Sequence, residues 1–215
     1  RFLIVDDAST DDTREVIRSY DDPRIELRCL ERNVGQTAAL NLGFREASTT
    51  WIARMDADDF SDPRRLEEQM DVLEADPTLR CVGTFAWVFR DDPREVEDIV
   101  EKPVSCEAIK HALLRITPMI HGSLVVNRHA LLDVGGYDER YRYSADRELY
   151  HRLLARHRAI NLPKRLLGVR RHANQGSFSR TSADENIEIF SRMLVDARCP
   201  EDATTLRGSL SYSYL

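Results

Sequence analysis

The chain has 215 residues, 32% of them charged and 42% hydrophobic, with a formal net charge of −6. Length and apolar content suit one folded domain and exclude a disordered chain. No run of about 18 apolar residues is present to cross a membrane, and the acidic balance argues against sequence-independent binding to nucleic acid, which needs clustered positive charge.

The chain opens on Arg1 inside what reads as a strand already under way, so a preceding segment is expected. Phe2-Leu3-Ile4-Val5 is a short apolar run ending at Asp6-Asp7, the pattern of a strand buried on both faces. Ser9, with Asp12 three residues on, reads as the cap of a helix to about Tyr20, its Val16 and Ile17 turned inward. Asp22-Pro23 breaks that helix. Ile25–Leu30 reads as a second strand. Asn33–Gly35 turns into a helix over 36–47, with Leu40, Phe44 and Ala47 at helical spacing. Trp51–Met55 is a third strand, stopping at Asp56-Ala57-Asp58-Asp59. Asp62 is placed to cap a helix with Pro63 at its first position, its buried stripe being Leu66, Met70 and Leu73. Cys81–Phe89 is a fourth strand.

Strand and helix therefore alternate over the first 90 residues. That predicts an α/β fold: a mostly parallel, Rossmann-like central sheet with helices on both faces. Ligands in such sheets bind beyond the carboxyl ends of the strands, where Asp6-Asp7 and Asp56–Asp59 both fall.

The second half is less regular. Arg90–Pro103 reads as a charged connection and Cys106–Leu114 as a helix. Gly122–Asn127 reads as a strand, followed by a short helix ended by Gly135-Gly136. Asp146–Arg156 is a strong helix with Leu149, Leu153 and Leu154 apolar. Ala159–Leu162 and Leu167–Arg171 read as two strands, and Asp184–Asp196 as a closing helix. The tail after Cys199 has no periodicity. Cys29, Cys81, Cys106 and Cys199 fit no metal or redox spacing and suggest a reducing compartment. Cys29 and Cys81 lie in strand-like runs, where a buried thiol is the ordinary outcome.

Asp56-x-Asp58, with Asp59 beside it, offers hard oxygen ligands suited to Mg²⁺ or Mn²⁺, which complete their shells with phosphates and water. An acidic triplet at a strand end is a weak signal alone. Several ordered motifs add to it. Ile4-Val5-Asp6-Asp7-Ala8-Ser9-Thr10-Asp11-Asp12-Thr13 comes first, then Asn33-Val34-Gly35 followed by Ala39-Leu40-Asn41-Leu42-Gly43, then Met55–Asp59. Gly135-Gly136-Tyr137-Asp138-Glu139 follows, with Asp146, Leu149 and Arg152 behind it, and Arg170-Arg171-His172 closes the series. Over residues 2–180 this order resembles family-2 glycosyltransferases of the A-type nucleotide-sugar fold.

The resemblance implies an inverting, metal-assisted transfer of a sugar from a nucleotide-diphosphate donor to an acceptor hydroxyl. It places Asp6, Asp7, Asn33 and Asp56 at the nucleotide, Asp56, Asp58 and His172 at a Mn²⁺ or Mg²⁺ ion, and Asp146 as the catalytic base. His121 is a candidate for the acceptor cleft, and Arg32 and Arg171 for the phosphates. A UDP- or dTDP-sugar donor and a saccharide or lipid-linked acceptor are the expected partners. The expected setting is cytoplasmic, with peripheral association at the inner face of the membrane. Residues 1–90 would form the nucleotide-sugar half, 91–180 the acceptor half of the same domain, and 181–215 a C-terminal helix and tail. Members of this family normally begin with a further strand and helix, which are missing here. Ala145 stands where the family usually has Glu, and Leu40 where it often has Arg. The alternative is a catalytically inactive nucleotide-sugar-binding module. A signalling receiver domain shares the Asp-Asp strand end, but the residues after Asp56 and the chain length both fit it poorly.

Overall fold

The structure, a computed structural model, describes residues 1–172 and 180–196. Cys199 and the tail lie outside the described residues. Strand β1 (Phe2–Asp6) leads into α1 (Thr13–Arg18), and β2 (Ile25–Cys29) returns parallel to β1. These two strands form a pair of their own, with no ladder to the larger sheet. Then follow α2 (Gln36–Glu46), β3 (Trp51–Ala53), β4 (Phe60–Ser61), α3 (Arg65–Ala75) and the long β5 (Leu79–Phe89). The second half adds β6 (Asp98–Val100), α4 (Cys106–Leu113), a 3₁₀ turn at His121–Ser123 and β7 (Val125–Asn127). It continues with α5 (Arg128–Asp133), α6 (Ala145–Arg156), β8 (Arg158–Arg170) and α7 (Arg180–Asp196).

The six-stranded sheet runs β3-β7-β5-β8-β4, with β6 on β5. The α/β class holds, but strand directions are mixed. β5 and β8 are parallel, whereas β7, β6 and β4 run antiparallel to their neighbours. These short return strands carry too few residues to show a periodicity of their own. Because β3 and β5 are both antiparallel to β7, and β8 is parallel to β5, strands β3, β5 and β8 point the same way. Their carboxyl ends therefore share one edge of the sheet, and that edge carries the site.

Alternate residues face opposite sides, as the pleat requires. Cys81 and Val126 join one core with Phe44, Ile109, Leu149, Tyr150, Leu153 and Ile189, under α2, α4, α6 and α7. Val82 and Val125 join a smaller core with Leu73, Leu79, Leu162 and Leu166, on the α3 side. Helices thus cover both faces.

Five sequence expectations are corrected. Helix α1 buries none of its residues, and Val16 is exposed, because α1 leans only on the small β1–β2 pair. Its cap position is Asp12, not Ser9, and no side chain caps it. Helix α3 starts at Arg65, not Pro63, and turns Arg65, Gln69 and Leu73 inward while Leu66 is exposed. The reason is hydrogen bonding. Arg65 donates to the carbonyls of Arg54 and Gly122, and Gln69 to those of Val82 and Ser123, main-chain acceptors that burial would otherwise leave unpaired. The two expected C-terminal strands are one, β8, whose register with β5 jumps past Pro163 and Lys164. Proline has no N–H to give the ladder, and the irregularity absorbs it. Finally, Cys29 is exposed on β2, whereas Cys81 is buried and its thiol is pushed up to about 12 by burial.

Three Asp-Pro-Arg segments are local clamps. In Asp22-Pro23-Arg24, Asp62-Pro63-Arg64 and Asp92-Pro93-Arg94 the Asp carboxylate accepts both the main-chain N–H and the guanidinium of the Arg two residues on.

Candidate active site

At the end of β1 the chain turns sharply, with Ala8 at φ 60°. Asp6 is buried and accepts from Arg14 Nε at 2.5 Å and from the Ser9 N–H at 3.3 Å. Burial alone would raise its pKa, but these bonds outweigh burial and hold it below the usual carboxylate range. Asp7 faces the loop before α2. Its two oxygens accept the N–H groups of Val34 and Gly35 at 2.7 and 2.8 Å, while the Asn33 amide donates to the Asp7 carbonyl at 3.2 Å. Asp6, Asp7 and Asn33 therefore come together, bonded to protein groups. The amide of Gln36, at the start of α2, reaches Asp56 Oδ1 at 3.3 Å and links this strand end to the next.

The Asp56–Asp59 turn follows β3, and β4 then folds back along β8 so that Phe60 sits opposite Gly168. This register brings residues 58 and 59 beside 170–172. Asp58 Oδ2 lies 3.1 Å from His172 Nε2. The Arg170 N–H donates to Asp59 Oδ1 at 3.1 Å, and Arg170 Nε to the Asp58 carbonyl at 3.1 Å. Burial first, and the Asp56 charge second, push the Asp59 carboxyl up to about 7. Gly122 allows the close approach. A Cβ there would stand 2.8 Å from Asp59 Oδ2 and 3.4 Å from Asp56 Oδ2.

Asp56 is not part of the Asp58–His172 pair. Both its oxygens face the guanidinium of Arg54, a buried residue whose Nε has no partner. Arg54 is the cation at the centre of the site. Its charge acts on Asp59, His121, Tyr137 and Asp146 together. His121 Nε2 meets the Tyr137 hydroxyl at 2.5 Å, and burial followed by Arg54 holds the imidazole well below its ordinary pKa, hence neutral. Tyr137 stacks on Phe44 with ring centroids 5.3 Å apart. Its main chain is tied to α2, where Asn41 accepts the Tyr137 N–H and donates to its carbonyl.

Asp146 is the second residue of α6 and is half-buried. Its Oδ1 accepts the Arg147 N–H at 2.7 Å. Burial raises its proton affinity, and that N–H and Arg54 offset only part of the rise. The charge of Lys102, whose Nζ donates to the Thr117 carbonyl at 2.8 Å, also feels Asp146. Arg171 is spoken for by Asp98 at 3.4 Å. Among the described residues no three His, Cys, Asp or Glu side chains gather closely enough to hold an ion by themselves.

The structure thus gathers Asp56, His121 and Asp146 around Arg54, and the Asp56–Asp59 turn joins the Asp58–His172 pair to them. Sequence reading missed Arg54, although an arginine two residues before Asp56, at the end of a strand, shares its side of the chain.

The model of the family "Glycosyl transferase family 2" matches residues 1–136. The chain belongs to that family. Among family-2 relatives, EpsE of Bacillus subtilis, provisionally named a glycosyltransferase, is 31% identical over 196 residues, covering 86% of this chain and 67% of its own. The amylovoran biosynthesis glycosyltransferase AmsE of Erwinia amylovora is 31% identical over 142 residues, 66% of this chain and 52% of its own. The fold is that of A-type glycosyltransferases. TarS residues 1–349 of S. aureus in complex with UDP-GlcNAc superposes with a TM-score of 0.73 at 15% identity, covering 94% of this chain and 59% of that one. The Pyrobaculum calidifontis mannosyltransferase PcManGT, with GDP-Man and Mn²⁺, gives 0.65 at 21% identity, covering 98% and 59%. The chain spans about half to two thirds of the length of these relatives. Among the described residues no helix is long and apolar enough to cross a membrane.

Proposed function

We propose that this chain carries the core of a metal-assisted, inverting glycosyltransferase that moves a sugar from a nucleoside-diphosphate donor to an acceptor hydroxyl. The observation that carries the reading is that Asp146, a half-buried carboxylate of raised proton affinity at the start of α6, lies within reach of the charge of Arg54, whose guanidinium also holds Asp56. A base held there accepts a proton from an attacking hydroxyl more readily than an ordinary aspartate would. One base with a single displacement, from the face opposite the departing nucleotide, inverts the anomeric carbon.

The Asp58–His172 pair fits a divalent cation. Its carboxylate oxygen and imidazole nitrogen, 3.1 Å apart on half-exposed side chains, are donors that such an ion takes. Asp58 and His172 would hold the ion together with donor phosphates and water. A bound Mn²⁺ or Mg²⁺ supplies positive charge that offsets the charge of the leaving diphosphate. Asp56 is left a place beside the ribose, where Gln36 already reaches it. Neutral His121, hydrogen-bonded to Tyr137, lines the acceptor side without adding charge.

The structural relatives favour a nucleotide-sugar donor, UDP-linked or otherwise: the TarS and PcManGT complexes hold UDP-GlcNAc and GDP-Man. An Escherichia coli relative, 27% identical over 114 residues, is named for transfer to a diphosphoundecaprenol-linked acceptor. That likeness supports a saccharide or lipid-linked saccharide acceptor, and the reading places the reaction in the cytoplasm at the inner face of the membrane. The test is transfer or donor hydrolysis with Mn²⁺ across a panel of UDP-, dTDP- and GDP-sugars. Asp146→Asn should lose about 10²–10⁴-fold in kcat while nucleotide affinity stays. Donor binding without turnover in the unaltered chain would identify an inactive binding module instead. Full turnover in Asp146→Asn would remove the base assignment.

A further inference from the structure

Helix α6 begins at Ala145, so the chain just before it sets the direction in which Asp146 projects. The first turn of any helix leaves N–H groups without helical partners. Ser144, at the cap position, makes no side-chain bond to that turn; its hydroxyl donates to the Ser182 carbonyl of α7. The three N–H groups ahead of the helix converge on a single carboxylate, Glu185 of α7. Arg142 N–H donates to Oε1 at 2.7 Å, and the N–H groups of Tyr143 and Ser144 donate to Oε2 at 2.9 and 2.8 Å. Successive main-chain N–H groups folded around one anion make a nest, and bonds to a charged acceptor are the stronger kind.

Both sides of this loop are tied. From α2, the Thr37 hydroxyl donates to the Tyr141 carbonyl at 2.8 Å. From α7, Asn186 Oδ1 accepts from Arg147 at 3.1 Å, and Glu188 accepts from the Tyr141 hydroxyl at 2.7 Å. Among the described residues, Glu185 is the one side chain from another element that grips the main chain within four residues of Asp146. We infer that Glu185 is a positioning residue: its carboxylate fixes the start of α6 and so holds the Asp146 carboxylate where the acceptor hydroxyl must deliver its proton. The inference rests on the reading of Asp146 as base. It extends the working site to α7, beyond the residues that the family model matches.

The chemistry of the nest decides how variants behave. Glutamine offers one acceptor oxygen and an NH₂ that would face the N–H groups it should receive, so Glu185→Gln releases the loop with almost no change in volume. Aspartate keeps the charge but withdraws it by one methylene. Small displacements of a catalytic group cost on the order of 10²-fold in rate. Glu185→Gln should therefore lower kcat about 10- to 100-fold, with donor KM and nucleotide affinity unchanged. Glu185→Asp should fall between it and the unaltered chain. Glu188→Gln, one turn further along the same helix, loosens a side-chain contact of α7 without touching the nest, and should keep kcat within about twofold.

The measurement is steady-state transfer with Mn²⁺ and a donor sugar, alongside nucleotide affinity by calorimetry and Tm for every variant. Equal losses of kcat in the Glu185 and Glu188 variants would reduce Glu185 to a docking contact and overturn the inference. So would a Glu185→Gln loss that appears in donor affinity rather than kcat. Wild-type kcat in Glu185→Gln with an inactive Asp146→Asn overturns the positioning role alone. An active Asp146→Asn overturns the base reading, and the positioning role with it.

Discussion

Two strand ends carry paired aspartates, and the molecule uses them differently. At the end of β1, both carboxylates are taken up by protein donors: Asp6 by Arg14 and Ser9, Asp7 by the N–H groups of Val34 and Gly35. At the end of β3, Asp58 faces a histidine and Asp59 is buried enough to resist ionisation. The first end builds a loop, and the second gathers chemistry. The difference comes from the neighbours. Among the described strands β1 pairs with β2 alone, with α2 packed on it, whereas β3 belongs to the larger sheet and shares an edge with the end of β8.

Substitutions can break this contrast. The largest effect is expected from Asp58→Ala, which should abolish the Mn²⁺-dependent part of nucleotide binding; calorimetry with and without Mn²⁺ reads it, and unchanged metal linkage would dissolve the distinction. Next, Asp6→Asn breaks the buried pair with Arg14 and should cost about 2 kcal/mol of stability in denaturant titrations. If nucleotide affinity collapsed while stability held, the β1 end would be a contact site rather than a scaffold. Asp7→Ala should cost a similar or smaller amount, about 1–2 kcal/mol, because the freed N–H groups of Val34 and Gly35 can reach water. Gly122→Ala forces a Cβ against Asp59 Oδ2 and should destabilise by about 1–3 kcal/mol, with turnover falling alongside.

The subtlest effect is a pH dependence. The folded-state pKa of Asp59 is raised, to about 7 from an ordinary 3.8. Between these values the folded protein binds more protons at this site than the unfolded chain does. Its contribution to stability is therefore present at low pH and lost as pH rises from about 4 to about 7. Asp59→Asn removes the titration. The unaltered protein should thus lose stability relative to this variant across that window, as read from denaturant midpoints, and equal slopes would show that Asp59 ionises normally.

Much of this was legible from residue order. The four early strands, the glycine stop at 135–136 and the apolar stripe of α6 follow from local chemistry that needs no partner. Asp58 and His172, 114 residues apart, were matched by motif order, and Asp146 by its place behind the Gly135–Glu139 segment. The inward face of α3 was not legible, because arginine and glutamine there serve carbonyls on distant segments. Nor were the short antiparallel strands, which two or three residues cannot announce.

What the sequence determined by itself was the set of groups and their local frames: which carboxylates stand at strand ends, and which loops can bend to present them. Tertiary structure decided which of those groups meet. The antiparallel register of β4 on β8 puts Asp58 beside His172, and Arg54 becomes a central cation only because burial removes water from around it. Glu185 acquires a role only when α7 packs on α6. Pairing at long range depends on sheet register and helix packing, and neither is encoded within a few residues of the groups it brings together.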